Sequence, residues 1–166
     1  MEKLVLVRLD DKYCNYLRKF DKKVPYNYNN KKLRPFVGVL FEIGICKYFA
    51  PLSSPKSKHL IMKPTLDFLK IDGGKLGAIN FNNMLPVTDN NIIKLDLNKT
   101  CFTTSEQKYI NMLKKQVYWL NRNSVKIYKR SEKIYNGYIS KTLDIRILKR
   151  CCDFKLLEEK CKEYNR

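Results

Sequence analysis

The sequence predicts an α+β protein, an antiparallel sheet with helices packed on it and a helical C-terminal half. Three observations predict it: short β-rich runs crowd the first 90 residues, glycine turns join neighbouring runs into hairpins, and after about residue 100 the apolar residues recur at helical spacing. Neither a linker nor a repeat nor a low-complexity tract interrupts the 166 residues, so one domain spanning 1–166 is expected.

"KLVLVRL" (3–9) is a β-rich run and reads as the first strand. "KYCNYLRKF" (12–20) sets Tyr13, Tyr16, Leu17 and Phe20 at helical spacing, which predicts a short helix. "DKKVPYNYNNKKLR" (21–34), with its proline, asparagines and lysines, reads as a long polar loop. "FVGVLFEI" (36–43) and "ICKYFAPL" (45–52) form a hairpin turned at Gly44, and "SSPKSKH" (53–59) continues as a loop. A second hairpin joins "LDFLKI" (66–71) to "LGAINF" (76–81) through "DGGK", whose glycines supply positive φ. "NMLPV" (83–87) is a further short strand. Thr103 and Glu106 make a T-x-x-E capping box, and Tyr109, Leu113, Val117 and Leu120 continue as one apolar helix face. The tyrosine-rich stretch 125–140 continues as helix, and 143–164 puts Ile147, Leu148, Cys151 and Cys161 on another helical face.

Charge narrows the partners. Lys and Arg number 34 against 16 acids, a net charge of +18, and residues 101–166 hold 16 of the basic groups. Such a field attracts polyanions by neutralising phosphates and releasing their counterions. Nucleic acid fits better than an anionic membrane, because the basic residues are not gathered on one amphipathic helix with a bulky apolar face. No run of about 18 apolar residues could cross a bilayer. The apolar N-terminus meets charge at once and shows no cleavage site, so a cytoplasmic location is expected. Eleven tyrosines among the lysines suit unstacked bases of single-stranded RNA. Six cysteines without a C-x-x-C pair argue against zinc and read as small core residues.

Phosphate loops of the G-x-G-x-x-G and P-loop kinds are missing, and residues 22–35 and 51–65 contain neither Asp nor Glu. A two-metal nuclease is therefore poorly supported, and neither a metal nor a cofactor is expected. RNA can instead be cut by its own 2′-OH, leaving a 2′,3′-cyclic phosphate and a 5′-OH, if a protein aligns the attack, moves protons and places cations around the phosphorane. One loop offers Tyr26, Tyr28, Lys31, Lys32 and Arg34; the other offers Ser53, Ser54, Lys56, Lys58 and His59. The general base is open among Lys32, Lys56, His59 and a tyrosine. Lys114, Lys115, Lys126, Lys129 and Arg130 in the helical half are candidates for a groove that binds RNA. On charge and tyrosines alone, a non-catalytic RNA-binding regulator is the alternative.

"RPFVGVLFEI" (34–43), "YFAPLSSPKSKH" (48–59) and "GAINFNNMLPV" (77–87) together resemble the ToxN/AbiQ family, the toxins of type III toxin–antitoxin systems. The resemblance implies a twisted antiparallel sheet related to the MazF/Kid toxins and a metal-independent endoribonuclease. Such an enzyme cuts mRNA and its own repeat antitoxin RNA. It also implies inhibition by the processed RNA, a folded pseudoknot held in basic grooves of a closed RNA–protein hetero-oligomer, and service in plasmid maintenance or abortive phage defence. On this resemblance the catalytic hydroxyls map to Ser53 and Ser54, and the following lysine to Lys56. The family's tyrosine and lysine before the R-P-F strand match Tyr28 and Lys32, with Tyr26 and Lys31 as rival matches.

Overall fold

The computed structural model describes residues 2–26 and 34–164. The aliphatic run of β1 (Val5–Leu9) buries Leu6, Val7 and Leu9. The chain then enters α1 (Asp11–Arg18), whose first turn is capped by the Asp10 carboxylate accepting from Tyr13 N at 2.9 Å. Tyr13, Cys14 and Leu17 form its buried face.

The sheet is antiparallel throughout, in the order β5-β6-β4-β2-β1-β8. Its strands are β2 (Phe36–Gly38), β3 (Glu42–Ile43), β4 (Cys46–Ser53), β5 (Phe68–Lys70), β6 (Ala78–Asn80), β7 (Leu85–Val87) and β8 (Ile92–Lys94). β4 is the hub. Its first half pairs with β3 and β7, through Lys47↔Val87 and Phe49↔Leu85; its second half pairs with β2 and β6, through Phe36↔Pro51 and Leu52↔Ile79. Six of its eight residues are buried, as a central strand covered on both faces requires.

The helical half comprises α3 (Thr104–Arg122), α4 (Ser124–Ile139), α5 (Ile145–Arg150) and α6 (Phe154–Tyr164). The capping box forms: Glu106 N donates to Thr103 Oγ1 at 3.1 Å, and Thr103 N donates to Glu106 Oε2 at 3.4 Å. On the expected face of α3, Leu113 and Leu120 are fully buried, while Tyr109 and Val117 pack against the core from its edge. Among the described residues no helix is long and apolar enough to cross a membrane.

α6 lies over β4 and β7 and is fixed by a polar group inside the core. Tyr48 and Tyr135 hydroxyls both donate to Glu158 Oε1, at 2.8 and 2.7 Å, and Lys155 reaches Oε2 at 3.2 Å. A carboxyl group buried this deeply is tolerable only when its oxygens are satisfied, and here each has a donor. Five of the six cysteines are buried and all are free thiols, consistent with small core residues.

Three expectations change, and one strand, β8, is added that the sequence reading did not include. The strand over 36–43 is interrupted after Gly38, although Leu40 and Phe41 still bond across to Tyr48. β8 is a three-residue strand held by pairing with β1, too short to show a pattern of its own. The 143–164 helix is two helices, because the chain is extended at Cys151 between α5 and α6. The end of the "SSPKSKH" loop is helical: Ser57–Ile61 form α2, a single turn placed by its neighbours rather than by periodicity.

Candidate functional site

β4 ends at Ser53, and two glycines from the β5–β6 connection press against the segment 53–59. Gly77, at φ +94°, lies so close that a Cβ there would overlap the Ser53 carbonyl oxygen. Gly74, at φ +97°, lies against the His59 backbone, where a Cβ would stand 2.7 Å from the carbonyl oxygen. Only glycine permits both the positive φ and the approach. From β6, Asn80 Nδ2 donates to Ser53 Oγ at 2.7 Å. These contacts shape a cleft of about 370 Å³ in which Ser53, Lys56, Lys58 and His59 meet Asn80 and Arg150.

The Ser53 oxygen already accepts from Asn80, which leaves its O–H free to donate to an anionic oxygen in the cleft. Lys56 and Lys58 are exposed at the rim. His59 is only 2% exposed; its Nδ1 is buried without a partner, and its ring lies 5.7 Å from that of Phe68. Burial, and then the charges of Lys56, Lys58 and Lys70, hold His59 below its ordinary pKa. An unfolded histidine takes up its proton near pH 6.5, whereas the folded one resists until lower pH. Stability contributed by neutral His59 is therefore present above about pH 6.5 and lost as pH falls through the folded value. Urea unfolding at pH 7 and pH 5.5 should show a loss that His59→Gln reduces; equal losses in both proteins would refute it.

One carboxylate enters the cleft despite the acid-free loops. Asp67, just before β5, accepts from Arg150 Nε and Nη2 at 2.9 and 3.0 Å and from Thr65 Oγ1 at 2.7 Å. Burial pushes its pKa up, but the bonds from Arg150 and Thr65 outweigh burial and hold it below the usual carboxylate value. Asp67 lies beyond the loop in sequence and arrives through the β5–β6–β4 pairing.

The remaining candidates divide. Ser54 is exposed and lies outside the cleft lining. Arg34 precedes β2; Leu52 N donates to Pro35 O at 2.9 Å, and continuing that β2–β4 register places Arg34 level with Ser53. Burial, and then the Arg18 charge, hold Arg34 below the ordinary guanidinium value. Tyr26 stands against α1, with the Arg18 guanidinium 4.6 Å from its ring centre. Tyr28, Lys31 and Lys32 lie outside the described residues. Lys126, Lys129 and Arg130 line a second cleft of about 530 Å³ with Arg122 and Lys133, whereas Lys114 and Lys115 are exposed on α3 outside both linings. The segment Thr65–Phe68 is the wall between the two clefts, and Arg130 Nη1 donates to Thr65 O at 2.7 Å. Asn80, Asp67 and Arg150 carry no local signal of a role in the cleft. Of the three, only Asn80 lies in a stretch that resembles the family, and nothing in its sequence neighbourhood marks its partner as Ser53.

Similarity to known proteins runs along nearly the whole chain. A model of the family described as toxin ToxN of type III toxin–antitoxin systems matches residues 5–162. Endoribonuclease ToxN of Bacillus thuringiensis subsp. kurstaki is 33% identical over 160 residues, covering 94% of this chain and 81% of its own. The solved structure of AbiQ, a lactococcal anti-phage endoribonuclease of a type III system, has a TM-score of 0.80 at 33% identity and covers 99% of both chains. Another, from work on selective toxin inhibition by a non-coding RNA pseudoknot in type III systems, has a TM-score of 0.81 at 30% identity, again over 99% of both chains.

Proposed function

Because the chain belongs to the ToxN family of type III toxin–antitoxin toxins, we propose that it is a metal-independent endoribonuclease that cuts RNA by 2′-OH attack. The products would be a 2′,3′-cyclic phosphate and a 5′-OH. One observation carries this reading: at the end of β4 a hydroxyl with a free proton, three lysines and an arginine converge on one cleft. The one carboxylate among the described lining residues already has both oxygens bonded to Arg150 and one also to Thr65, which makes it a poor metal ligand. In this reading Ser53 grips the scissile phosphate, Lys56 stabilises its developing charge, and Ser54 lies alongside. Tyr28 and Lys32 serve in proton transfer, with Tyr26 and Lys31 as the rival pair. Lys58 contacts RNA at the rim, whereas His59, expected to bind RNA, is too deeply buried to reach it and forms the wall behind.

The second basic cleft lies across the Thr65–Phe68 wall, so one RNA strand could run from Ser53 to Lys126, Lys129 and Arg130. We assign that cleft to the inhibitory repeat RNA, a pseudoknot held with the toxin in a closed hetero-oligomer, and to mRNA substrate. Cytoplasmic phage defence by a single MazF/Kid-like domain over 1–166 completes the proposal. It is tested by incubating the protein with an mRNA transcript in EDTA and mapping the ends. Cleavage with cyclic-phosphate and 5′-OH ends is expected. A requirement for Mg²⁺, or 3′-OH ends, would rule the mechanism out.

A further inference from the structure

Asp67 is a costly residue for the wall of a cleft that takes a polyanion. It is 2% exposed and its charge opposes the field of Lys56, Lys58 and Lys63 around it. A buried ion pair is weak evidence for stability, since desolvating two charges cancels most of their attraction. Its geometry points to another use. Arg150 offers Nε and Nη2 to the two oxygens of Asp67 in a bidentate fork, and Thr65 braces the carboxylate from a third side. The backbone is fixed as well: Asn82 Nδ2 donates to Arg150 O at 3.3 Å, and Cys152 N donates to Asn82 O at 2.8 Å. The last residue of α5 is thus held in the cleft through its side chain, its carbonyl and the amide two residues on.

A guanidinium carries five N–H donors in one plane. Two are used by Asp67, and the Arg150 side chain remains 47% exposed, within the cleft lining that contains Ser53. We propose that Arg150 contacts the phosphate of the RNA bound beside Ser53, donating its outer N–H pair to non-bridging oxygens, and that Asp67 positions it. This rests on the reading of the cleft as the ribonuclease centre. The Asp67–Arg150 pair adds no net charge, so its contribution is direction: a fixed, planar pair of donors where charge builds up on the phosphorane. Lysine has the charge but not the fork. The surrounding lysines supply the attraction.

The two roles separate in an experiment on the full chain. Arg150→Lys and Asp67→Asn are compared with the parent for kcat and KM on an mRNA transcript the parent cuts. Binding of a fully 2′-O-methylated copy, which cannot be cut, is measured across salt concentrations. Arg150→Lys should lower kcat about 100-fold, with binding of the methylated RNA within about threefold of the parent. Asp67→Asn should lower kcat by a similar factor while binding is kept or tightened, because a negative charge has been removed from the cleft. A purely structural ion pair would lower the melting temperature of both variants and leave kcat per folded molecule unchanged; that result overturns the inference. If Asp67→Asn does not fold, Arg150→Lys decides alone, and a kcat within threefold of the parent refutes the contact. Should the parent cut no RNA in EDTA, or Lys56→Ala cut normally, the reading of the cleft fails. An inactive Lys56→Ala beside a fully active Arg150→Lys removes only the Arg150 contact.

Discussion

Lys56→Ala is expected to lower RNA cleavage by about 10²- to 10³-fold, the scale seen when a preorganised group facing transition-state charge is removed. The fold should not notice. Lys56 is exposed, and among the described residues its side chain makes no hydrogen bond or ion pair. Its structural duty is carried by backbone: the Lys56 carbonyl accepts from His59 N at 2.9 Å and starts α2, a bond that alanine keeps. A surface substitution of this kind shifts stability by less than about 0.5 kcal/mol. The same change lowers the positive field on His59, whose pKa should rise somewhat towards its ordinary value. Cleavage rates with matched urea unfolding curves check the pair of statements. A protein that unfolds as the parent does and cuts at the parent's rate would remove Lys56 from the site.

What could be read from the chain was what neighbours in sequence decide. The capping box needs only Thr103 and Glu106, three residues apart, and the "DGGK" turn needs only backbones that tolerate positive φ, as Asp72, Gly73 and Gly74 do. The lysines and hydroxyl of "SSPKSKH" were legible as a phosphate-handling group because their types suffice for that chemistry. Contacts across the fold were not legible. Asp67 meets Arg150 from 83 positions away, Tyr48 meets Glu158 from 110, and each pair joins two elements whose local patterns say nothing of the other. His59 shows the same divide. Its sequence neighbours are Lys58 and exposed Leu60, which suggest an open loop, yet the close approach of Gly74 and the Phe68 ring bury it. Asn80 carries part of the family resemblance, but only the β4–β6 register turns it into the partner of Ser53.

Gly77→Ala should be the most damaging single-methyl change near the cleft, costing about 2–5 kcal/mol from backbone strain and overpacking together. Two effects combine there. Its φ of +94° is one that side chains rarely adopt, and the added Cβ would overlap the Ser53 carbonyl oxygen. Relief requires β6 to withdraw from β4 where Ser53 pairs with Ala78, which lengthens the Asn80–Ser53 bond and turns the hydroxyl. Cleavage should therefore fall in the fraction of molecules that remains folded, not merely in proportion to unfolding. Gly73→Ala is the internal control. Gly73 has φ +63° but nothing within 4 Å of its Cβ position, so it reports the backbone strain without the collision. That variant should lose about 1 kcal/mol and keep its activity. Against a typical domain stability of about 5–15 kcal/mol, the larger loss is a substantial share of the total. Urea midpoints for the two variants measure the difference directly. Equal midpoints would mean that β6 gives way freely at Ser53, and that the cleft is not held in shape by the glycine beneath it.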